Sequence, residues 1–329
     1  MRAIPGTILI LAAAALLVGA CERAPRVFVT NERDGTVTVI DDRTDRVVGS
    51  IPVGSRPRGV AWSNGSLFVS LTNQNTQRLG AVAAVAEISD GNAARGIRRL
   101  SAGTDPEGLA VSPDGRTVYV ANEDASTASI LDAGSGKVLA DLPVGVEPEG
   151  VAASPDGRWV YVTAETSGNV TVIDARTLAV AATVPVGQRP RSAAFSPDGR
   201  RAYVTAELGG NVTLIDVAAG HTVVRTVPLA QPARPCGVAV SPDGGTVYVA
   251  TGRGNSVVML DAVTLAERKR IPVGQRPWGI ALGAGGRRLY TANGVSNDVS
   301  VIDTDAGRVI ATIKAGNGPW GVAAEPERP

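Results

Sequence analysis

The sequence predicts an all-β, seven-bladed β-propeller with four antiparallel strands per blade. Three observations carry this expectation. Apolar runs alternate with polar residues and are bounded by Gly, Pro, Asn and Asp, the pattern of strands joined by tight turns. No run has the three-to-four spacing of an amphipathic helix. A unit of about 42 residues holding four such runs recurs along the chain, a period that fits a propeller blade.

The clearest copy occupies residues 159–200, with strands expected at 160–163, 169–174, 180–184 and 191–196. Seven copies fill 27–66, 67–116, 117–158, 159–200, 201–245, 246–287 and 288–329. The second carries extra sequence between Leu71 and Arg99, and the fifth is lengthened between Pro228 and Pro235. Ser-Pro-Asp-Gly recurs at 112–115, 154–157, 196–199 and 241–244. In such a turn Pro presets φ, Asp bonds the local backbone and Gly takes the left-handed position. The third strand ends in Asp41, Asp132, Asp174, Asp216, Asp261 and Asp303. Each of these is expected to accept N–H bonds within its own turn, and their distribution over different blades keeps them from converging on a metal. The first repeat begins on a second strand and the last ends on an innermost one. The C-terminal inner strand should therefore join the N-terminal blade and close the ring, leaving no open edge. Gly, Ala and Ser recur along the inner strands, as at Gly150, Ala152 and Ser154, where crowding at the axis calls for small side chains.

With 32 basic and 31 acidic residues the chain has no charge excess, which argues against a nucleic acid partner. Residues 1–20 read as a signal peptide: Arg2, then an apolar stretch over 8–18 too short to span a membrane comfortably. Small residues before Cys21 permit ordinary cleavage. The run Leu17-Val18-Gly19-Ala20-Cys21 also resembles a bacterial lipobox, which would make Cys21 the lipidated first residue of a membrane-tethered, periplasmic protein. Residues 21–26 would then be a short tether and 27–329 the propeller, expected to be a monomer. Acylation of Cys21 would leave Cys236 without a disulfide partner.

Function on a repeated frame resides where the repeats differ. The loop entering each inner strand has the form x-Pro-x-Gly, with Ser192 in the Gly position of one. Its two variable positions are Arg56/Arg58, Asp105/Glu107, Glu147/Glu149, Arg189/Arg191, Arg234/Cys236, Arg276/Trp278 and Gly318/Trp320. All should surround one mouth of the central channel, together with Glu165 and the loops holding Asn31-Glu32, Asn122-Glu123-Asp124, Glu207 and Asn293. Two readings stand side by side: a ligand or partner site, with Trp278 and Trp320 as contact residues, or a ring of ion pairs between blades. His221, in the outermost strand of the fifth repeat, is expected to face solvent, with no second His or Cys near it for a metal. Cys236 reads as a small packed residue or as a thiol activated beside Arg234. No metal site and no cofactor are expected.

The repeats resemble the YVTN family of bacterial β-propellers, through Val27-Phe28-Val29-Thr30-Asn31, Tyr161-Val162-Thr163-Ala164, Tyr203-Val204-Thr205-Ala206, Thr171-Val172-Ile173-Asp174 and the Ser-Pro-Asp-Gly turns. Val144–Gly150, Val186–Arg191, Val273–Trp278 and Thr291–Asp298 look like a narrower group, the periplasmic propellers found with pyrroloquinoline-quinone-dependent alcohol catabolism. That resemblance implies a non-enzymatic protein accessory to a quinoprotein dehydrogenase, binding a periplasmic protein partner or a small ligand at the loop face. The alternatives are a lactonase-like hydrolase, for which a carboxylate pair such as Glu147/Glu149 would serve, and an envelope adhesion protein.

Overall fold

The computed structural model describes residues 23–72, 79–86 (backbone) and 96–327. Residues 1–22, which hold the expected signal peptide and the expected lipidation site Cys21, lie outside the described residues. The chain forms seven four-stranded sheets. The fourth shows the pattern: Pro148–Ala153, Trp159–Ala164, Asn169–Asp174 and Ala179–Pro185 lie side by side, antiparallel, from axis to rim. Each repeat supplies three strands to one blade and the inner strand to the next. Blade one is thus completed by Pro319–Ala324, which pairs with Arg26–Asn31 and closes the ring. The lengthened second repeat forms two strands of 8 residues each, Leu79–Ala86 and Ile97–Thr104.

Burial follows distance from the axis. Second and third strands are packed on both faces, whereas the outermost strands are largely exposed. The apolar core therefore lies in layers between neighbouring blades. One such layer sets Tyr161, Val170 and Val172 of blade four against Ala202, Val204 and Ile215 of blade five. Tyrosines at equivalent second-strand positions pin these layers near the rim. Tyr203 donates to the carbonyl of Ala262 in blade six at 2.8 Å, and Tyr290 to Asp42 in blade one at 2.7 Å. The turns behave as expected: all six third-strand aspartates accept backbone N–H groups of their own turns. In each Ser-Pro-Asp-Gly turn the Ser hydroxyl donates to the Asp carboxylate and the Gly φ is near 70°.

At the axis, Gly59, Gly108, Gly150, Gly237, Gly279 and Gly321 each lie against a backbone carbonyl of the next inner strand, those of Glu107, Glu149, Arg191, Trp278, Trp320 and Arg58. A Cβ at Gly237 would stand 2.6 Å from the Trp278 oxygen, closer than any real side chain tolerates. Second-strand hydroxyls bridge the same gap. Gly321 N–H donates to Thr30 Oγ1 at 2.8 Å, and Thr30 Oγ1 donates to Arg58 O at 2.8 Å. Ser70 and Thr205 reach the carbonyls of Glu107 and Cys236 in the same way. Ser192 stands where the other inner strands have Gly, and the strand it faces, Val238–Val240, is the shortest of the ring.

One expectation is corrected here. His221 does not face solvent; it is 7% exposed and immediately precedes the outer strand Thr222–Pro228 of blade five. Its ring is clamped between Tyr161, whose hydroxyl lies 2.8 Å from Nδ1, and Trp159, which it meets edge-on at 4.5 Å. Outer strands are exposed on average, but the residue before this one turns back into the layer between blades.

Gly237→Ala is expected to lower unfolding free energy by about 1–3 kcal/mol through overpacking. Gly134→Ala, where the new Cβ meets only a side-chain oxygen at 3.4 Å, should be close to neutral; chemical denaturation of both distinguishes them. Burial, with the neighbouring Arg158 adding to it, holds His221 below the ordinary imidazole value. A base with a depressed folded pKa charges on unfolding, so its stabilisation is present above the unfolded value and is lost as pH falls. Between about pH 6.5 and 5 the melting temperature should drop more steeply for the wild type than for His221→Gln.

Candidate functional site

The loops entering the inner strands share one local design. The residue before Pro is left-handed in six of the seven loops, at Arg56, Asp105, Glu147, Arg189, Arg276 and Gly318. The register then slips by a bulge just after Pro, for example between Pro57 and Val60 and between Pro148 and Val151. A bulge re-aims the side chain that follows, and the second variable position turns towards the axis. Glu107, Glu149, Arg191, Cys236, Trp278 and Trp320 accordingly line a central channel of about 250 Å³.

On one side of the mouth three arginines meet three carboxylates. Arg191 Nη1 pairs with both Glu149 and Glu165, and its Nε donates to Glu207 at 2.8 Å. Arg189 Nε donates to Glu165 at 2.5 Å, and Arg276 Nη2 to Glu207 at 3.1 Å. The Arg191 side chain is 9% exposed, that of Arg189 41%. Burial, reinforced by Glu149, raises the Glu165 carboxyl. On the other side Arg58 pairs with Glu107 and, at 3.0 Å, with Glu32, which Arg56 also meets at 3.3 Å. Asp105, Glu107 and Glu123 gather there, with one oxygen of each within 4.8 Å of the others. Burial is the leading cause that raises all three carboxyls, and Glu123 reaches about 7, with Glu149 and Asp105 adding to it.

Trp278 and Trp320 stack at 4.4 Å between ring centroids and 26° between planes. Arg276 lies over the Trp278 ring at 4.2 Å and Arg58 over the Trp320 ring at 4.4 Å. The ion pairs between blades exist, and they hold the arginines against the aromatic pair. Two expected site residues stay outside. Glu147 is exposed and held by Thr166, and Arg234 reaches the Leu208 carbonyl at 3.3 Å. Cys236 is 3% exposed, donates to Arg234 O at 3.2 Å, and has its thiol pushed up by burial, so it is a packed residue. Glu32, Glu123 and Glu207 are full members of the site that sequence reasoning placed on this face without singling out. Each occupies the position after its second strand that Glu165 holds in blade four, which is the signal that identifies them.

Residues 174–316 match the family model described as lactonase, 7-bladed beta-propeller, and residues 74–192 that of the cytochrome D1 heme domain. No curated protein sequence matches. Among solved structures the chain is similar to a hydrazine synthase chain of Kuenenia stuttgartiensis, with 26% identity, TM-score 0.75, and coverage of 84% of this chain and 92% of that one. It is also similar to the periplasmic gluconolactonase of Pseudomonas aeruginosa, with 22% identity, TM-score 0.74, and coverage of 91% and 98%. The expectation of a non-enzymatic protein is corrected by the lactonase match, which points to a hydrolase. None of the matches to known proteins reported above names a quinoprotein-associated propeller.

A haem does not fit the residues present. Among the described residues the axial-ligand types are His221 at the rim, bonded to Tyr161, Met259 and the five tyrosines in the layers between blades, and the packed Cys236.

Arg191→Met should destabilise the fold by about 3–5 kcal/mol, because it leaves buried carboxylates without their shared partner. Arg189→Met, at a far more exposed position, should cost about 0–1 kcal/mol. Denaturant unfolding of the two variants checks the ranking.

Proposed function

We propose that the protein is an exported lactonase-type hydrolase that opens a cyclic ester of a polyhydroxylated acid at the mouth of its central channel. The observation that carries this reading is the lactonase match over residues 174–316, the part of the chain that supplies Arg189, Arg191, Glu207, Arg276 and Trp278 to the mouth. The stacked tryptophans offer flat apolar surface to the C–H face of a sugar-like ring. The arginines, already oriented by their carboxylates, stand where charge develops on the acyl oxygen, and donors fixed in advance are the effective ones. Glu149 lines the channel beside Arg191 and is placed to take a proton from the attacking water. Water adds to the acyl carbon, the ring C–O bond breaks, and the departing alkoxide recovers the proton, giving the open hydroxy acid. Export fits the N-terminal signal and the periplasmic location in the name of the Pseudomonas protein. Lipidation of Cys21 would hold the enzyme at the membrane surface.

Acid release from gluconolactone, followed by titration at constant pH, is expected to exceed spontaneous hydrolysis. Glu149→Gln should lower kcat by about 10²–10⁴-fold, and Trp320→Ala should act mainly on KM. Wild-type rates no higher than the uncatalysed reaction across sugar-acid lactones would sink the proposal.

A further inference from the structure

The two sides of the mouth differ in formal charge. Around Arg191, the carboxylates of Glu149, Glu165 and Glu207 are matched by Arg189, Arg191 and Arg276. Around Glu107, the carboxylates of Glu32, Asp105, Glu107 and Glu123 meet only Arg56 and Arg58, which leaves two negative charges without a counter-charge. The deficit coincides with orphaned atoms. Glu107 is 1% exposed; one of its oxygens is held by Arg58, while Oε2 is buried with no hydrogen-bond partner. Asp105 Oδ1 is buried and unpartnered as well. A buried carboxylate oxygen lacking any partner is costly and rare in native proteins. Their neighbours are carboxyls of the same cluster: Glu123 bonds to Glu107 and to Asp105, which requires a proton held between carboxyls, and a cation would stand in for that proton.

We propose that Asp105, Glu107 and Glu123 form a binding site for a hard divalent cation, with calcium the best match. The donors are all carboxylate oxygens, the set preferred by Ca²⁺, Mg²⁺ and Mn²⁺ over softer metals. One oxygen of each lies within 4.8 Å of the others, close enough to share one ion, and calcium accepts an irregular oxygen set where magnesium demands near-ideal octahedral geometry. A cation there would balance the charge of the acidic side, satisfy both orphaned oxygens, and tie the loop entering Pro106–Val111 to the turn after Thr117–Asn122. Glu107 shares the channel lining with Glu149 and the tryptophans, and direct titration with the ion reads occupancy without turnover.

Calorimetric titration of chelator-treated, full-length protein with calcium chloride tests the site, with melting temperature followed in parallel. One saturable site with a dissociation constant on the order of 10⁻⁴ M is expected, together with a rise in melting temperature. Glu123→Gln and Asp105→Asn should each weaken binding by about tenfold or more while keeping the wild-type circular dichroism spectrum. Should one of them fail to fold, the other and the charge-preserving Glu123→Asp read the same site through altered affinity. Folded wild-type protein that shows no saturable binding of calcium or manganese at millimolar concentration overturns the proposal; the carboxyls would then be sharing protons among themselves. Binding that is unchanged in the folded variants overturns it too, by placing the ion elsewhere.

Discussion

The molecule depends on a close approach of backbone to backbone at its axis. Six glycines, from Gly59 to Gly321, lie against the carbonyl of the next inner strand, and hydroxyls such as Thr30 bridge the same gap. This contact sets how tightly the blades converge. It also explains why a chain with so much apolar surface keeps its small residues at the centre and its large ones in the layers between blades. Because the same contact recurs round the ring, the residue preceding each glycine emerges at the same height, and one narrow channel gathers side chains from distant parts of the sequence.

What gathers there is charged, and charge in a confined mouth has to be balanced. Arg191 is nearly buried, and three carboxylates fix its position. Such a network adds little net stability over an apolar core of the same shape. Its contribution is geometric: guanidinium groups held against Trp278 and Trp320 need no rearrangement to meet a polar ligand. Ion pairing accounts for the loop charges, and under the proposed function the same arrangement would serve binding.

Much of this was legible in the residues. The strands expected at 160–163 and 169–174 coincide with those observed to within a residue at each end, because alternation and turn chemistry are local signals. Ring closure by the last inner strand followed from where the repeats begin and end. The x-Pro-x-Gly loops pointed to the mouth because structural positions repeat and these do not. Other features were out of reach. His221 looked like a surface residue since burial between blades depends on how one turn packs against Tyr161 and Trp159 of another blade. Glu147 and Arg234 repeat the pattern of the loops but not their orientation. The split of the mouth into a balanced side and an acidic side depends on which carboxylate reaches which arginine across blades, and no spacing along the chain encodes that.

The strand that closes the ring, Pro319–Ala324, also carries Trp320. The aromatic pair is therefore assembled by the pairing of this strand with Arg26–Asn31. Until those two distant segments meet, Trp278 has no partner to stack on, and the mouth is as much a product of ring closure as the fold is.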